Sequence, residues 1–218
     1  MSNSHNLPYS YAYPHPAVTT DAVVFSLRGG RLELLLIQRG GEPFKGHWAL
    51  PGGFLTPDED LDACVRRELV EETGVAVAEL HHFANFSAPN RDPRERVISA
   101  AYWAFTPSED LSPRGGSDAD DARWFPVNAM PELAFDHVDV VERALEALRS
   151  RCESYRPLFG LLPPSFTLSA FQGAWEAVMG READRRNLHK AVLGSGLIEE
   201  TGDLARGNHR PAKLYRLV

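Results

Sequence analysis

The sequence predicts a protein of the α/β (α+β) class, with a larger domain built on a mixed sheet followed by a small helix-and-hairpin domain. Its 218 residues exceed one typical domain, and 43% of them are hydrophobic, which is enough to bury a core. Residues 1–159 carry 15 Lys and Arg against 24 Asp and Glu (−9), whereas residues 160–218 carry 8 against 6 (+2). We therefore expect the two parts to meet different partners.

In the first part, strand-like segments surround two helical ones. Two β-branched and aliphatic segments flank Gly29-Gly30, which predicts a hairpin, and a polar loop is expected at 108–120. The pattern indicates a mixed sheet with helices packed on its faces. The predicted strands are Val18–Leu27, Arg31–Arg39, Ala78–Ser87, Val97–Phe105 and Arg123–Val127, and the predicted helices are Glu59–Thr73 and Val138–Arg151.

A proline-containing polar stretch at residues 152–164 has the composition of a domain linker. We therefore divide the chain into an N-terminal arm at 1–17, a domain at 18–151, the linker, and a second domain at 165–218. No apolar run reaches the ~18 residues that cross a membrane, and the first residues lack the pattern of a secretion signal. The sequence thus predicts a cytoplasmic protein with no membrane partner.

Cys64 and Cys152 are the two cysteines of the chain. They provide neither a disulfide framework nor metal-binding spacing, so we expect both to be reduced thiols.

The ends of the first helix are marked by local capping signals. Thr56 is a candidate N-cap, Pro57 suits the first helical position, and Glu59 completes a capping box, while Gly74 supplies the left-handed residue that ends a helix. The sequence therefore predicts a helix from Pro57 to Thr73.

Three acidic residues share one face of this helix. Glu68, Glu71 and Glu72 stand at positions i, i+3 and i+4, so their like charges project together. Hard divalent cations such as Mg²⁺ or Mn²⁺ prefer such carboxylates, and a metal-activated water can cut a phosphoanhydride. The alternative for any acidic triplet is a solvated helix face.

The segment Gly53–Val75 resembles the Nudix box, G-x5-E-x7-R-E-U-x-E-E-x-G-U with U aliphatic, at every specified position. The resemblance implies a Nudix α/β/α sandwich in which Glu68, Glu71 and Glu72 are catalytic and bind the metal with a backbone carbonyl near Gly52. It also implies that Glu59 and Arg67 hold the ligand helix in place. Many Nudix enzymes use a further acid from a loop, and the candidates here are Asp118, Asp120 and Asp121, whose alternative is a solvated loop.

Four arginines are candidates for binding a diphosphate, because guanidinium groups grip phosphate oxygens in pairs. The alternative is that they are ordinary surface residues. The surrounding segments, Leu36–Arg39, Trp48–Phe54 and Asp92–Ser99, resemble the ADP-ribose-binding branch of the Nudix family. The four candidates are Arg39, Arg91, Arg94 and Arg96.

Nearby aromatic and acidic residues allow more than one interpretation. Phe44 or Trp48 can stack on adenine, although core packing is the commoner role of such residues. Asp136 and His137 also resemble a motif of the ADP-ribose branch and are given no role here, with helix capping as the alternative for Asp136.

The second part has its own caps and turns. Thr167 is expected to cap a helix that ends at Gly180, and Asp184 to cap Arg185–Leu193, which ends at Gly194. Strands are predicted at 196–200 and 211–218, joined by a turn at 201–210. Helix, helix and hairpin in this order predict a winged helix.

Basic and polar side chains concentrate on the second helix and the wing, as DNA binding through the major groove and the phosphates requires. Protein docking is the alternative use of such a small domain. The predicted DNA-binding residues are Arg185, Arg186, Asn187, Lys190, Arg206, His209, Arg210 and Lys213.

Together with the Nudix box, the segment from Pro163 to Arg216 resembles the Nudix-related transcriptional regulators of NAD metabolism, the NrtR family. The resemblance implies homodimers that bind operator DNA and are released by ADP-ribose or a related nucleotide. Since the box is complete, a hydrolase of ADP-ribose that also regulates transcription is the first hypothesis. A non-catalytic ADP-ribose-sensing repressor is the second, and a housekeeping Nudix enzyme with a dimerisation module is the third.

Overall fold

The computed structural model describes residues 11–106, 112–116, 118–205 and 211–218. The strands are β1 Ala17–Arg28, β2 Arg31–Arg39, β3 Trp48–Ala49, β4 Gly52–Phe54, β5 His81–Phe86, β6 Val97–Phe105, β7 Ala119–Pro126, β8 Ile198–Ala205 and β9 Ala212–Leu217. The helices are α1 Leu61–Thr73, α2 His137–Cys152, α3 Leu168–Met179 and α4 Arg185–Gly194, and a 3₁₀ helix covers Arg156–Leu161. Among the described residues, no helix is both long and apolar enough to cross a membrane.

Within the described residues, β1 to β7 form one mixed sheet with the spatial order β3-β2-β1-β6-β5. β1 pairs in parallel with β6 and antiparallel with β2 and β4, and β7 pairs with β2. Gly29 and Gly30 both have positive φ, as the tight hairpin between β1 and β2 requires. The predicted mixed sheet is confirmed.

Helices cover both faces of this sheet. Alternate residues of a strand point to opposite faces, so Ala22 and Val24 of β1 pack against α1, whereas Val23 and Phe25 pack in the cluster that includes α2. All four side chains are at most 1% exposed. The result is an α/β/α sandwich in which α1 and α2 are held on opposite sides of β1.

Helix α1 begins at Leu61, later than both Pro57, which the capping signals predict, and Glu59, which the hydrophobic pattern predicts. Asp60, and not Thr56, is the N-cap, because its carboxylate accepts a hydrogen bond from the backbone N–H of Ala63 at 2.8 Å. Glu59 does accept from the Thr56 N–H at 2.9 Å, but this contact closes a turn before the helix. Gly74 ends the helix at φ 70°, as predicted.

Strand β7, which includes part of the predicted acidic loop, is longer than predicted. β7 starts at Ala119 and not at Arg123, because it pairs with β2 as far as Arg39 across a register shift. The short strands β3 and β4 were not predicted, since two or three residues are too few to show a period of two.

The C-terminal elements confirm the predicted winged helix. Thr167 and Asp184 cap α3 and α4 through their side chains, and the backbone of Phe166 pairs with that of Tyr215 beside the β8–β9 hairpin. β8 extends to Ala205 and does not end at Glu200, because a register shift after Glu200 restores pairing with β9.

One continuous hydrophobic core links the sheet to the winged helix. The 3₁₀ helix lies within the segment assigned to the linker, yet its Leu158 and Leu161 are buried. They belong to the same cluster as Leu148 of α2 and Phe171 and Val178 of α3. The two halves of the chain are therefore packed against each other and not merely joined.

We predict that Phe171→Ala destabilises the whole chain by ~3–5 kcal/mol, because it opens a cavity in a fully buried site of this core. Chemical denaturation followed by the fluorescence of the four tryptophans, together with far-UV circular dichroism, should give one coincident transition, shifted to lower denaturant. Val138→Ala, at a side chain that is 45% exposed, is the control and should change stability by less than ~0.5 kcal/mol. Two separate transitions would contradict the shared core.

Candidate functional site

Strand β4 brings two glycines against the acidic face of α1. The Gly52 N–H donates a hydrogen bond to Glu72 Oε2 at 2.9 Å. A Cβ on Gly52 would lie 2.0 Å from the Thr20 carbonyl oxygen, and one on Gly53 would lie 2.2 Å from Glu68 Oε1. Glycine at position 52 therefore lets β4 lie close to the backbone of β1, and glycine at position 53 leaves the space that the Glu68 carboxylate occupies.

Burial shapes the protonation of two of the three acidic residues. Burial raises the pKa of Glu72 to about 8, partly opposed by the Gly52 hydrogen bond, and burial likewise raises the pKa of Glu68. The Glu71 side chain is 47% exposed and lies outside the cavity lining. The structure thus brings Glu68 and Glu72 together and leaves Glu71 at the rim.

Arg67 connects the acidic residues around it. Its guanidinium donates two hydrogen bonds to Glu59, at 2.9 and 2.6 Å, and contacts Glu68 at 2.8 Å and Glu71 at 3.1 Å. The hydrogen bonds from Arg67 lower the pKa of Glu59 to about 2, and those to Glu59 raise the pKa of Arg67. Glu59 and Arg67 therefore lie where the sequence expects residues that hold the helix.

The Arg67 guanidinium lies between carboxylates that the sequence predicts to bind a metal ion. In the described part of the chain, no three His, Cys, Asp or Glu side chains converge closely enough to hold a metal ion. The reason is visible in the contacts: Arg67 bridges Glu68 and Glu71, while Glu72 turns toward Gly52.

A cavity of about 590 Å³ opens beside Glu68 and Glu72. Three of the four predicted arginines line it, namely Arg39, Arg91 and Arg94. Arg96 does not line it, because its guanidinium donates to the carbonyls of Ala88 and Val97.

The three lining arginines have different surroundings. Arg39 donates to the Pro43 carbonyl at 2.8 Å, and Arg94 is paired with Asp92 at 2.7 Å. Arg91 is almost completely buried and contacts both Asp21 and Asp136. Arg39 and Arg94 are therefore the more accessible anion-binding groups of the cavity.

Phe135 and Phe54 are the aromatic residues of the cavity, and the sequence analysis missed both. The guanidinium of Arg94 lies 5.1 Å from the Phe54 ring centre, and that of Arg39 lies 4.8 Å from the ring centre of Phe135. Trp48 instead packs edge-on against Phe125, outside the cavity. The positive φ of Phe135, 56°, is a conformation that sequence patterns do not reveal.

Phe44, the other predicted stacking residue, also lies behind the cavity wall. Its ring contacts that of Phe135 at 4.8 Å between centres and does not line the cavity. Phe44 thus supports the position of Phe135 from behind.

The acidic loop supplies two of its three candidates to the cavity. Asp118 and Asp120 line the cavity close to Gly40. Asp121 is turned away, with its carboxylate bonded to the Ala122 N–H and paired with Arg123. Of the three predicted acidic residues outside the Nudix box, Asp118 and Asp120 therefore line the cavity and Asp121 does not.

Helix α4 presents the predicted basic face to solvent. Arg185, Arg186 and Lys190 are exposed, and exposed Asn187 donates to its own helix cap, Asp184, at 2.8 Å. Lys213 on β9 pairs with Glu200 at 2.8 Å, so the two side chains together carry no net charge. The predicted wing residues Arg206, His209 and Arg210 lie outside the described residues.

Comparison with known proteins assigns both halves of the chain. The NUDIX domain model matches residues 16–144, and the NrtR DNA-binding winged helix domain model matches residues 158–217. The chain therefore belongs to the Nudix hydrolase family, whose members generally use a divalent metal. Within that family it has the two-domain organisation of the NrtR regulators.

Individual relatives are similar over most of the chain. The ADPR responsive transcriptional repressor NtrR of Acinetobacter baylyi is 34% identical over 94% of this chain and 84% of its own length. An ADP-ribose pyrophosphatase of Methanocaldococcus jannaschii is 38% identical over 60% of this chain and 73% of its own. The crystal structure of Shewanella oneidensis NrtR complexed with a 27mer DNA has a TM-score of 0.78 at 30% identity, covering 92% of this chain and 93% of that one.

We predict that Gly53→Ala weakens metal binding and catalysis, because its Cβ would displace the Glu68 carboxylate. Calorimetric titration with Mn²⁺ should show a loss of affinity of tenfold or more, equivalent to ~1.4 kcal/mol. Gly41→Ala is the matched control, since Gly41 also lines the cavity and a Cβ there meets nothing within 4 Å. Equal affinity in the two variants would show that the Gly53–Glu68 contact does not shape the site.

The raised pKa of Glu72 makes the stability of the metal-free protein depend on pH. In metal-free protein the folded state keeps a proton on Glu72 up to about pH 8, whereas the unfolded chain releases it near the ordinary value of 4.5. Stability should therefore fall as pH rises from about 4.5 through about 8. Glu72→Gln should remove this fall, measured as melting temperature in EDTA, whereas Glu71→Gln should retain it. Parallel profiles for wild type and Glu72→Gln would contradict the prediction.

Proposed function

We propose that this protein is a Mg²⁺- or Mn²⁺-dependent diphosphatase of ADP-ribose, or of a similar nucleoside diphosphate derivative, and that its winged helix makes it a transcriptional regulator of NAD metabolism. The observation that carries the proposal is the cavity, which is lined by Glu68 and Glu72 together with Arg39 and Arg94. Such a site offers oxygen ligands to a cation and guanidinium groups to the phosphates in the same space.

The donor set fits a hard divalent cation. Glu68 and Glu72 are carboxylates whose pKa values are raised by burial, so their ionised forms need a cation nearby. Glu68, Glu71 and Glu72, with the Gly52 carbonyl, would hold it once Arg67 releases Glu71. When bound, the cation would activate a water and neutralise phosphate charge.

The remaining residues of the cavity bind and orient the substrate. Arg39 and Arg94 grip the diphosphate oxygens, and the Phe54 and Phe135 rings offer apolar surface to the base or the ribose. Asp118 or Asp120, which line the same cavity, would accept a proton from the attacking water. The products of ADP-ribose would be AMP and ribose 5-phosphate, as expected from cleavage of the phosphoanhydride.

DNA binding is proposed from the exposed face of α4 and the hairpin. Arg185, Arg186 and Lys190 project from the second helix of the winged helix, the position that enters the major groove in this class of domain. The relative from Acinetobacter baylyi is described as an ADPR responsive transcriptional repressor. By similarity, ADP-ribose releases this protein from operator DNA, which it binds as a homodimer in the cytoplasm.

One observation favours a second candidate function, a repressor that senses ADP-ribose without hydrolysing it. Arg67 supplies an internal cation between Glu68 and Glu71, so these two carboxylates are already paired. In such a protein the cavity would bind ADP-ribose with no turnover. The third candidate, a housekeeping Nudix enzyme with a dimerisation module, requires turnover with no DNA binding.

The first test of the function is AMP release from ADP-ribose with Mg²⁺, compared with NADH and dinucleoside polyphosphates. We expect wild type to release AMP and Glu72→Gln to lose at least ~10²-fold in kcat, because the buried carboxylate at the proposed metal is lost. Glu146→Gln, at an exposed residue on α2 remote from the cavity, is the control and should match wild type. Binding of ADP-ribose without AMP release would favour the sensing repressor.

The second test measures DNA binding against salt. Labelled duplexes tiling the DNA upstream of the protein's own gene serve as probes, and Arg186→Ala should reduce the slope of log K against log salt by about one, for one lost phosphate contact. Arg31→Ala removes the same charge from an exposed site on β2 and is the control. A protein that binds none of the duplexes, yet hydrolyses ADP-ribose, would support the housekeeping enzyme.

A further inference from the structure

Helix α2 is in contact with both functional regions of the chain. His137, its first residue, lines the nucleotide cavity, while Leu148 and Cys152 at its other end lie in the core shared with α3. A 16-residue helix spans ~24 Å, so α2 bridges this distance as one rigid element. Hydrogen bonds and ion pairs hold each of its ends.

The start of α2 is tied to the cavity by a buried polar cluster. Arg91 donates to Asp136 at 3.0 and 2.7 Å, and also to Asp21 at 3.2 Å. Asp21 accepts a further hydrogen bond from the Ser99 hydroxyl at 2.6 Å. His137 accepts from the Leu50 N–H at 2.9 Å, just before the Gly52 strand.

Arg91 is the arginine of this cluster, and it lines the cavity together with Asp21 and His137. Its side chain is 5% exposed, and its one positive charge is shared by two carboxylates. A diphosphate that enters the cavity presents more negative charge than either carboxylate and binds guanidinium in the same paired geometry. A diphosphate held by Arg39 and Arg94 would lie in the same cavity as Arg91 and would compete with Asp136 for its guanidinium.

Asp136 is directly connected to the first turn of α2. Its backbone carbonyl accepts hydrogen bonds from the N–H groups of Asp139 and Val140, although its carboxylate makes no capping bond. The carboxylate is thus committed to Arg91 and the carbonyl to the helix. Asp136 therefore connects the Arg91 guanidinium directly to the first turn of α2.

The far end of α2 holds the end of α3. Arg149 donates from Nε to the Val178 carbonyl at 3.1 Å. Val178 lies in the last turn of α3, where carbonyl groups lack partners within the helix. The Glu176 carboxylate of the same turn accepts from the Ala183 N–H at 3.0 Å, one residue before Asp184, the cap of α4. Arg149 therefore fixes the turn that sets where the DNA-facing helix begins.

We propose that α2 transmits occupancy of the nucleotide cavity to the winged helix, with Asp136 as the residue that responds to the ligand and Arg149 as the residue that positions α3 and α4. The proposal rests on the proposed function and deepens it, because it names the route of regulation. Neither residue contacts the proposed metal or DNA, so both are positioning residues.

The test compares DNA affinity with and without saturating ADP-ribose, in EDTA so that no turnover occurs. In wild type we expect the ligand to raise the Kd for the duplex by ~5–150-fold, the usual range of coupling between two sites. Arg149→Gln should reduce this ratio to less than ~2, with the Kd for ADP-ribose unchanged. Arg149→Lys, which keeps a donor, should restore most of it.

Arg143→Gln is the matched control on the same helix, because Arg143 is exposed and pairs with Glu146 alone among the ion pairs of the described residues. It should keep the wild-type ratio. Asp136→Asn gives a distinct signature: ADP-ribose should bind as tightly as or more tightly than in wild type, since Arg91 is freed, yet release DNA less. A wild-type ratio in Arg149→Gln would overturn the proposal.

Amide hydrogen exchange separates failure of the route from failure of the proposed function. ADP-ribose should change exchange in residues 168–180 of wild type, and Arg149→Gln should confine the change to the domain of the cavity. If wild type shows no effect of ADP-ribose on DNA binding, the regulatory function fails, but this exchange pattern still supports the route. No change in residues 168–180 of wild type overturns the route even if DNA is released.

Discussion

The burial of the Glu72 carboxylate against the Gly52 N–H is the constraint on which the arrangement of the site depends. Gly52 fits against the backbone of β1 and Gly53 against the Glu68 carboxylate, so β4 lies beside the acidic face of α1 at the cavity. A buried carboxylate is unfavourable when ionised, so the same contact creates a demand for positive charge. The nearby charge of Arg39 meets part of that demand from within the chain, and a divalent cation is suited to meet the rest.

Local chemistry made much of this fold predictable. Gly74, Thr167 and Asp184 end or begin helices through contacts within a few residues, and such signals can be read in any sequence. The predicted start of α1 was wrong because two capping signals lie close together in the sequence. Thr56 pairs with Glu59 and Asp60 pairs with Ala63, and only the second pair lies at the first turn of the helix. Both contacts form in the structure, and the carboxylate of Glu59 also accepts hydrogen bonds from Arg67.

The acidic face of α1 and the arginines of the site were also predictable from local sequence patterns. The residues that these arginines contact were not predictable, because some of them are distant in the sequence. Arg91 and Arg94 reach the cavity while Arg96 turns to backbone carbonyls, although all three are within six residues. That difference depends on where β6 begins and on the distant Asp136, which no local pattern contains. Phe135 was missed because its place in the cavity depends on its left-handed backbone.

The shared core also limits how such a protein can change over time. The Phe171 side chain of α3 lies against the 3₁₀ helix and the end of α2, so the winged helix has an apolar side that is already occupied. A different DNA-binding domain could not replace it by simple recombination, because the incoming domain would need a surface complementary to α2. The two halves are therefore expected to be inherited as a unit, with new operators reached by changing the exposed face of α4 and not by exchanging domains.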